Sequence, residues 1–330
     1  MTEYWIDDAP GERRAALVEN GVIVEVHIQR DLHFALGETG TGRIDRKTPS
    51  GAYLVTGNGE EVLFRRNAPQ PEGSRVGFEV TREAICEPGR AKPPEGKLVD
   101  VTPNISSDRQ QIWEARLAKI GSIPRLQADI SAAFDIAVAG AAQLDDVTVS
   151  FQRTKAGLVF DVDGIGDQLI INLVAAAEIA RLLRLYQVGG MVMIDFVAVE
   201  SKDARHAIVE AFDLSAAADS RPFERSAVNG FGLMQVVRAR PRPSVLDQLF
   251  GTRIAALSDE TQALWLLREA ARSSGFGQRT VTARTPVANL LASTQWESFR
   301  VECERQMGAP IVVVADDQIS GYGHVHVAQS

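Results

Sequence analysis

The chain has 330 residues, 45% of them hydrophobic and 24% charged, with a formal net charge of −8 and two cysteines. That is enough apolar material for packed cores in about two to three domains, and the negative charge argues against a protein that holds nucleic acid by overall electrostatics, so any such contact has to be local. Cys86 and Cys303 form neither a disulfide framework nor a zinc-ligand set, the acidic start MTEYWIDDAPGE lacks the apolar core of a signal peptide, and no run approaches the ~20 apolar residues of a membrane span, so a cytoplasmic protein without membrane contact is expected.

From Arg14 to Ile28, two β-rich runs flank Asn20-Gly21, a hairpin signal. Between Gly37 and about Pro94 lie the short runs GRIDR, GAYLV, EVLFRR and SRVGFEVTREAI, whose close spacing predicts a small barrel, with Arg90–Gly96 as its exit linker. A short helix is predicted over Asp108–Lys119. A second opens at Pro124, with Leu126, Ile130, Ala133, Phe134 and Ala137 at helical spacing. Val147–Phe151 and Leu158–Val162 read as strands, Gln168–Tyr186 as a helix stopped by Gly189-Gly190, and Met191–Val199 as the next strand. The helix is long enough for a right-handed crossover, so the two strands it joins are expected to lie parallel in one sheet. Beyond a helix at Lys202–Phe212, the C-terminal part reads as a small α/β unit. Its helices are Leu264–Arg272 and Trp296–Met307, and its strands lie around Thr280 and at Ile311–Val314.

The segment LVFDVDG places Asp161 and Asp163 two residues apart, which in a strand puts them on one face. Asp195 interrupts the apolar strand MVMIDFVAV. Carboxylates in apolar strands are costly unless paired, hydrogen-bonded or bound to a cation, and hard oxygen ligands of this kind suit magnesium. Such an ion can assist phosphodiester cleavage. Taken singly, Asp163-Gly164 also fits a turn and Asp161 a strand end. Asp195 has no such simple alternative.

These residues carry a resemblance. INLVAAAEIARLLRLYQVGGMVMIDFVAV (Ile171–Val199) resembles the signature of the ribonuclease E/G family, and LVFDVDG, NGFGLMQVVRARPRPSV and IVVVADDQISGYGHVHV resemble further segments of it. The N-terminal likeness is looser, with GRIDRKTPSGAYLVTGNGEEVLF similar to the family's OB-fold RNA-binding module. The resemblance implies a mixed α/β (α+β) chain. Its parts are an RNase H-like subdomain in two stretches (1–42 and 103–140), an inserted OB-fold β-barrel (43–102), a DNase I-like catalytic subdomain (141–250) and a small C-terminal α/β domain (251–330). Asp161 and Asp195 fall on the family's two Mg2+-binding aspartates, and Asp163 falls on its asparagine. The implied reaction is magnesium-dependent hydrolysis of single-stranded RNA, leaving a 5′-phosphate and a 3′-hydroxyl.

The sequence also departs from that pattern. The loop from Gly164 to Leu169 is short, Ala198 replaces a second aspartate, Gly230 a basic residue and Tyr186 an arginine. The stretch from Thr102 to Ile123 is too short for the family's sensor of a 5′-monophosphate. No CxxC follows Pro243–Leu249, so a zinc-linked tetramer is not expected and the chain should be a monomer or dimer.

Tyr53 falls near an aromatic position that the family uses to stack RNA bases, and Phe64 near a second. Exposed stacking is worth about 1–3 kcal/mol per base, while barrel core is the alternative for both and is favoured for Phe64 by Val62 and Leu63. Arg43, Arg46, Lys47, Arg65 and Arg66 are candidates for an RNA path, and Arg238, Arg240 and Arg242 for phosphate contacts beside the aspartates. His324 and His326 alternate in a strand and read as surface residues. Two functions follow: a metal-dependent endoribonuclease, or a catalytically weakened RNA-binding protein of the same family, the second motivated by Gly230 and the short loop.

Overall fold

The computed structural model describes residues 2–57, 59–65, 69–100, 109–119, 124–125 and 128–328. An antiparallel meander comes first: β1 (Thr2–Ala9), β2 (Glu12–Glu19) and β3 (Val22–Arg30). The turn between β2 and β3 is the predicted Asn-Gly hairpin. Asn20 has φ 53° and Gly21 φ 81°, so both central residues occupy the left-handed region that such a turn requires.

Next comes the barrel. β4 (Thr39–Thr48), β5 (Gly51–Thr56), β6 (Glu61–Phe64) and β7 (Arg75–Arg82) are followed by a separate small hairpin, β8 (Ile85–Glu87) and β9 (Arg90–Lys92), and then by β10 (Glu95–Val99). The strand order is β10-β6-β5-β4-β7, closed by β10 on β7, which makes a five-stranded OB-like barrel. Ile44, Leu54, Val62, Phe64, Val76 and Phe78 fill it. The expected exit linker at Arg90–Gly96 is therefore corrected: its end is the strand that closes the barrel. The glycine there serves packing, because a Cβ on Gly96 would sit 2.9 Å from Val62 Cγ1, and Pro94 offers its carbonyl to the Leu63 amide at 2.8 Å.

The chain then forms α1 (Arg109–Leu117) and returns to the first sheet. There β11 (Pro124–Arg125) pairs in parallel with β1. Helix does not begin at Pro124 as predicted. A 3-10 turn at Ser131–Phe134 leads into the short α2 (Asp135–Ala139), which ends at Gly140 with φ 69°. Proline has no amide to donate and is tolerated on a sheet edge. Of the residues at helical spacing, Ile130, Phe134 and Ala137 are buried and Ala133 is partly buried; Leu126 lies outside the described residues.

A six-stranded sheet follows. It contains β12 (Ala141–Leu144), β13 (Val147–Arg153), β14 (Leu158–Gly164), β15 (Gly190–Asp195), β16 (Phe223–Arg225) and β17 (Leu233–Arg238), in the order β12-β13-β14-β15-β17-β16. Between β14 and β15 runs α3 (Gln168–Leu185), and between β15 and β16 runs α4 (Lys202–Ala216). As predicted, β14 and β15 are parallel. Asp167 caps α3 by accepting from the Leu169 and Ile170 amides, and the helix buries Ile171, Ala175, Ile179 and Leu182 against the sheet core. After α5 (Val245–Phe250) comes the C-terminal unit: α6 (Asp259–Arg272), β18 (Arg279–Ala283), α7 (Thr285–Ala292), α8 (Glu297–Met307), β19 (Ile311–Ala315) and β20 (His324–Val327), with the sheet in the order β19-β18-β20. No described helix is long and apolar enough to cross a membrane.

Candidate functional site

The period of two in β14 builds the site. Leu158, Phe160 and Val162 are buried toward α3, and Asp161 and Asp163 point to the opposite, exposed face. In β15, Val192 and Ile194 are buried and Asp195 is exposed. The parallel register sets Asp161 directly beside Asp195, at the ~4.8 Å spacing of neighbouring strands. On the other side β13 places Ser150 opposite Asp161 and Thr148 opposite Asp163. Gln235 of β17, opposite Met193, extends the same face. Thr148, Ser150 and Gln235 are missed by motif reading. Only the strand pairing, which no single segment reveals, brings them to the carboxylates.

Asp195 does not lie inside a strand running to Val199; the strand ends at Asp195 itself. The cause is Asn172, fully buried in α3. Its Nδ2 donates to the Val197 carbonyl at 2.7 Å and its Oδ1 accepts from the Val197 amide at 3.0 Å. The Phe196 amide donates to the Gly232 carbonyl at 3.1 Å. The backbone after Asp195 is thus held by a helix side chain and a turn. Asp195 sits at the carboxyl ends of two parallel strands, the position where open α/β sheets bind ligands. A polar residue on the buried face of an apolar helix was the readable sign of Asn172.

Burial, then the neighbouring Asp163 and Asp195 carboxylates, push the Asp161 carboxyl above its usual range, and no guanidinium or ammonium group among the described residues offsets them. A divalent cation relieves such repulsion. The donors are hard oxygens, which suit magnesium, an ion that takes one or two protein carboxylates and keeps several waters. Among the described residues, no three His, Cys, Asp or Glu side chains close around one point. Asp161 and Asp195 are the adjacent carboxylates of this face, with Asp163 one step along it.

Several expected RNA contacts stand elsewhere. Phe64 is 3% exposed in the barrel core, so it has no free ring face for a base. Tyr53 is half-buried on the barrel, with the Arg46 guanidinium 4.0 Å from its ring centre. Arg43, Arg46 and Lys47 are exposed, Arg65 pairs with Glu95, and Arg66 lies outside the described residues. Arg238 and Arg240 are not beside the aspartates. β17 runs antiparallel to β15, so Arg238 opposes Gly190, at the far end of the strand from Asp195, roughly 17 Å away at ~3.4 Å per residue. Arg238 is also buried, donating to the Leu183 carbonyl at 2.8 Å and pairing with Asp219. Arg240 pairs with Glu87 at 3.1 Å and Asp247 at 2.8 Å, and Arg242 with Glu83. These arginines tie elements together. His324 and His326 are exposed on β20.

A residue not anticipated does stand near the aspartates. Phe231, 82% exposed, sits on the turn that enters β17, and the first residue of β17, Leu233, opposes Asp195.

Residues 153–241, which include β14, α3, β15 and β17, match the model of the Ribonuclease E/G family. Ribonuclease E of Escherichia coli (strain K12) is 29% identical over 166 residues, 47% of this chain and 16% of that protein. The chloroplastic Ribonuclease E/G-like protein of Arabidopsis thaliana is 34% identical over 77 residues, 23% of this chain and 8% of that protein. Ribonuclease G of Escherichia coli (strain K12) is 34% identical over 77 residues, 22% of this chain and 15% of that protein. The matched stretch spans at most 16% of the length of these relatives.

Proposed function

From the match of residues 153–241 to the Ribonuclease E/G family, we propose that this chain is a magnesium-dependent endoribonuclease that hydrolyses single-stranded RNA in the cytoplasm, as a monomer or dimer without a zinc link. The observation that carries this reading is the register of Asp161 against Asp195 within the matched segment. In this reading 141–250 is the DNase I-like catalytic subdomain and the barrel is the OB-fold that leads RNA toward it. The meander β1–β3, rejoined by β11 from beyond the barrel, supports an RNase H-like subdomain split by that insertion.

Asp161 and Asp195 would hold the ion, and Asp163 would add a further oxygen where the family has an asparagine. When bound, magnesium would supply positive charge for phosphodiester cleavage. Ser150 and Thr148 offer hydroxyls on the same face for orienting water or a phosphate oxygen. Water's oxygen joins phosphorus and the 3′ oxygen leaves, taking a proton to become the 3′-hydroxyl.

A second reading, an RNA-binding protein with weakened catalysis, draws on the absence of an offsetting cation around Asp161 among the described residues and on Gly230. One experiment separates the two. Labelled single-stranded RNA is incubated with magnesium or EDTA, beside the Asp195→Asn variant. The enzyme reading expects cleavage that needs magnesium and drops by at least a hundredfold in the variant, as removal of transition-state charge stabilisation does. Binding without cleavage supports the second reading, and neither binding nor cleavage defeats both.

A further inference from the structure

Phe231 is an aromatic ring left in water by a rigid turn. Asn229 Oδ1 accepts from the Phe231 amide at 2.9 Å and from the Leu233 amide at 3.0 Å, and the Asn229 amide donates to the Leu233 carbonyl at 3.0 Å. The next residue, Gly232, accepts from the Phe196 amide at 3.1 Å and has φ 88°. A Cβ on Gly232 would lie 2.3 Å from the Phe196 carbonyl oxygen, so the turn is seated directly on the chain leaving Asp195. No core contact rewards the ring: it is 82% exposed, whereas burial of a phenylalanine normally contributes about 1.5–3 kcal/mol. Leu233 opposes Asp195, so Phe231 stands on the turn two residues before the cross-strand partner of Asp195. Ile165 (82% exposed) follows the end of β14, two residues after Asp163.

We propose that Phe231 is a positioning residue that stacks the nucleobase next to the phosphate held at Asp161 and Asp195, so that the site selects unpaired, unstacked RNA. The proposal rests on the endoribonuclease reading. A base in a duplex keeps both faces stacked, whereas a single-stranded base can leave its neighbours for an aromatic ring, and every base has such a face. Stacking therefore selects for strandedness more than for sequence. It also supplies local apolar affinity to a chain whose net charge is −8.

The test pairs a protein change with an RNA change. Affinity for a fluorescent oligoribonucleotide is measured by anisotropy in EDTA, and cleavage in magnesium, for wild type, Phe231→Ala and Phe231→Trp. Each protein meets an intact RNA and a set carrying one abasic nucleotide at successive positions around the cut. Phe231→Ala is expected to weaken binding and raise KM about tenfold or more with a smaller change in kcat, and Phe231→Trp is expected to restore both. One abasic position should cost wild type a similar factor and cost Phe231→Ala nothing further. The site is exposed, so the variant should fold as wild type does, which circular dichroism checks. Equal losses in both proteins at every abasic position, or unchanged binding in Phe231→Ala, overturn the proposal and leave the enzyme reading intact. A wild type that binds but does not cleave sinks the enzyme reading, and the anisotropy series still decides whether Phe231 stacks a base. A wild type with neither activity overturns both.

Discussion

At the scale of single residues, the site depends on a side chain that never touches its solvent. Asn172 satisfies both backbone groups of Val197 from within a fully buried position. Those bonds stop β15 at Asp195 and turn the chain away, leaving the carboxylate at an open strand end. Replacing Asn172 with alanine strands the partly buried amide and carbonyl of Val197, at up to about 1–3 kcal/mol each. The expected outcome is a lower midpoint in urea unfolding. Cleavage should also fall at temperatures where the variant is still folded, because Asp195 is no longer fixed beside Asp161. Asn172→Asp keeps the acceptor for the Val197 amide and should recover part of the stability, but it adds another negative charge behind the carboxylates. A variant that loses stability and keeps the wild-type rate would show that Asn172 only supports the fold.

At the scale of elements, the pairing of β14, β15 and β17 decides which residues meet. Gly232 is the tightest point: its positive φ and its approach to the Phe196 carbonyl leave no room for a side chain. Gly232→Ala is expected to destabilise by more than the ~1 kcal/mol of a plain backbone effect, since the clash moves the entry to β17. Hydrogen exchange should then quicken at the Phe196 and Leu233 amides before it does in α3. The same pairing explains what could be read in the sequence. Alternation in LVFDVDG shows that Asp161 and Asp163 share a face, and a strand–helix–strand unit requires parallel neighbours, so the meeting of Asp161 with Asp195 was legible. The reversal of β17 was not. Arg238 and Arg240 look close to the site along the chain, yet the antiparallel return carries them to the opposite end of β15. The barrel was visible in its short strands, while β10 was hidden because Pro93, Pro94 and Gly96 resemble a linker; the fold uses that glycine to let β10 pack over Val62. Phe64 illustrates the limit of motif position: alternation in β6 turns it inward.

At the scale of the whole molecule, buried ions join the N-terminal meander to the C-terminal unit. Glu12 is fully buried. It accepts from Arg14 at 2.6 Å and from Arg30 at 2.9 Å, and Arg268 of α6 donates to its carbonyl at 3.0 Å. Arg30 reaches on to Glu260 of α6 at 3.0 Å, and Arg268 and Arg272 both pair with Asp7 of β1. Burial alone would raise the Glu12 carboxyl, but the guanidinium groups of Arg14, Arg30 and Arg268 outweigh it and hold the group at about 2. Glu260 is likewise held at about 2, burial being outweighed by Arg30 and His33. Both values lie below the ordinary 4.5. Their contribution to stability is therefore complete above pH ~4.5 and is lost as pH falls from there toward 2. Thermal unfolding followed between pH 7 and 2.5 should show a steep fall in midpoint that begins below about 4.5. Glu12→Gln leaves three buried cations without their main counter-charge and is expected to cost about 3–5 kcal/mol at neutral pH. It should also flatten the acid-side fall, because one of the depressed carboxyls at this junction is gone. A variant that is destabilised yet keeps the full slope would place the acid sensitivity elsewhere than at Glu12. If the slope flattens, the junction between the first sheet and α6 is the part of the molecule that acid opens first, while the carboxylate sheet, which shares none of these ion pairs, stays folded longer.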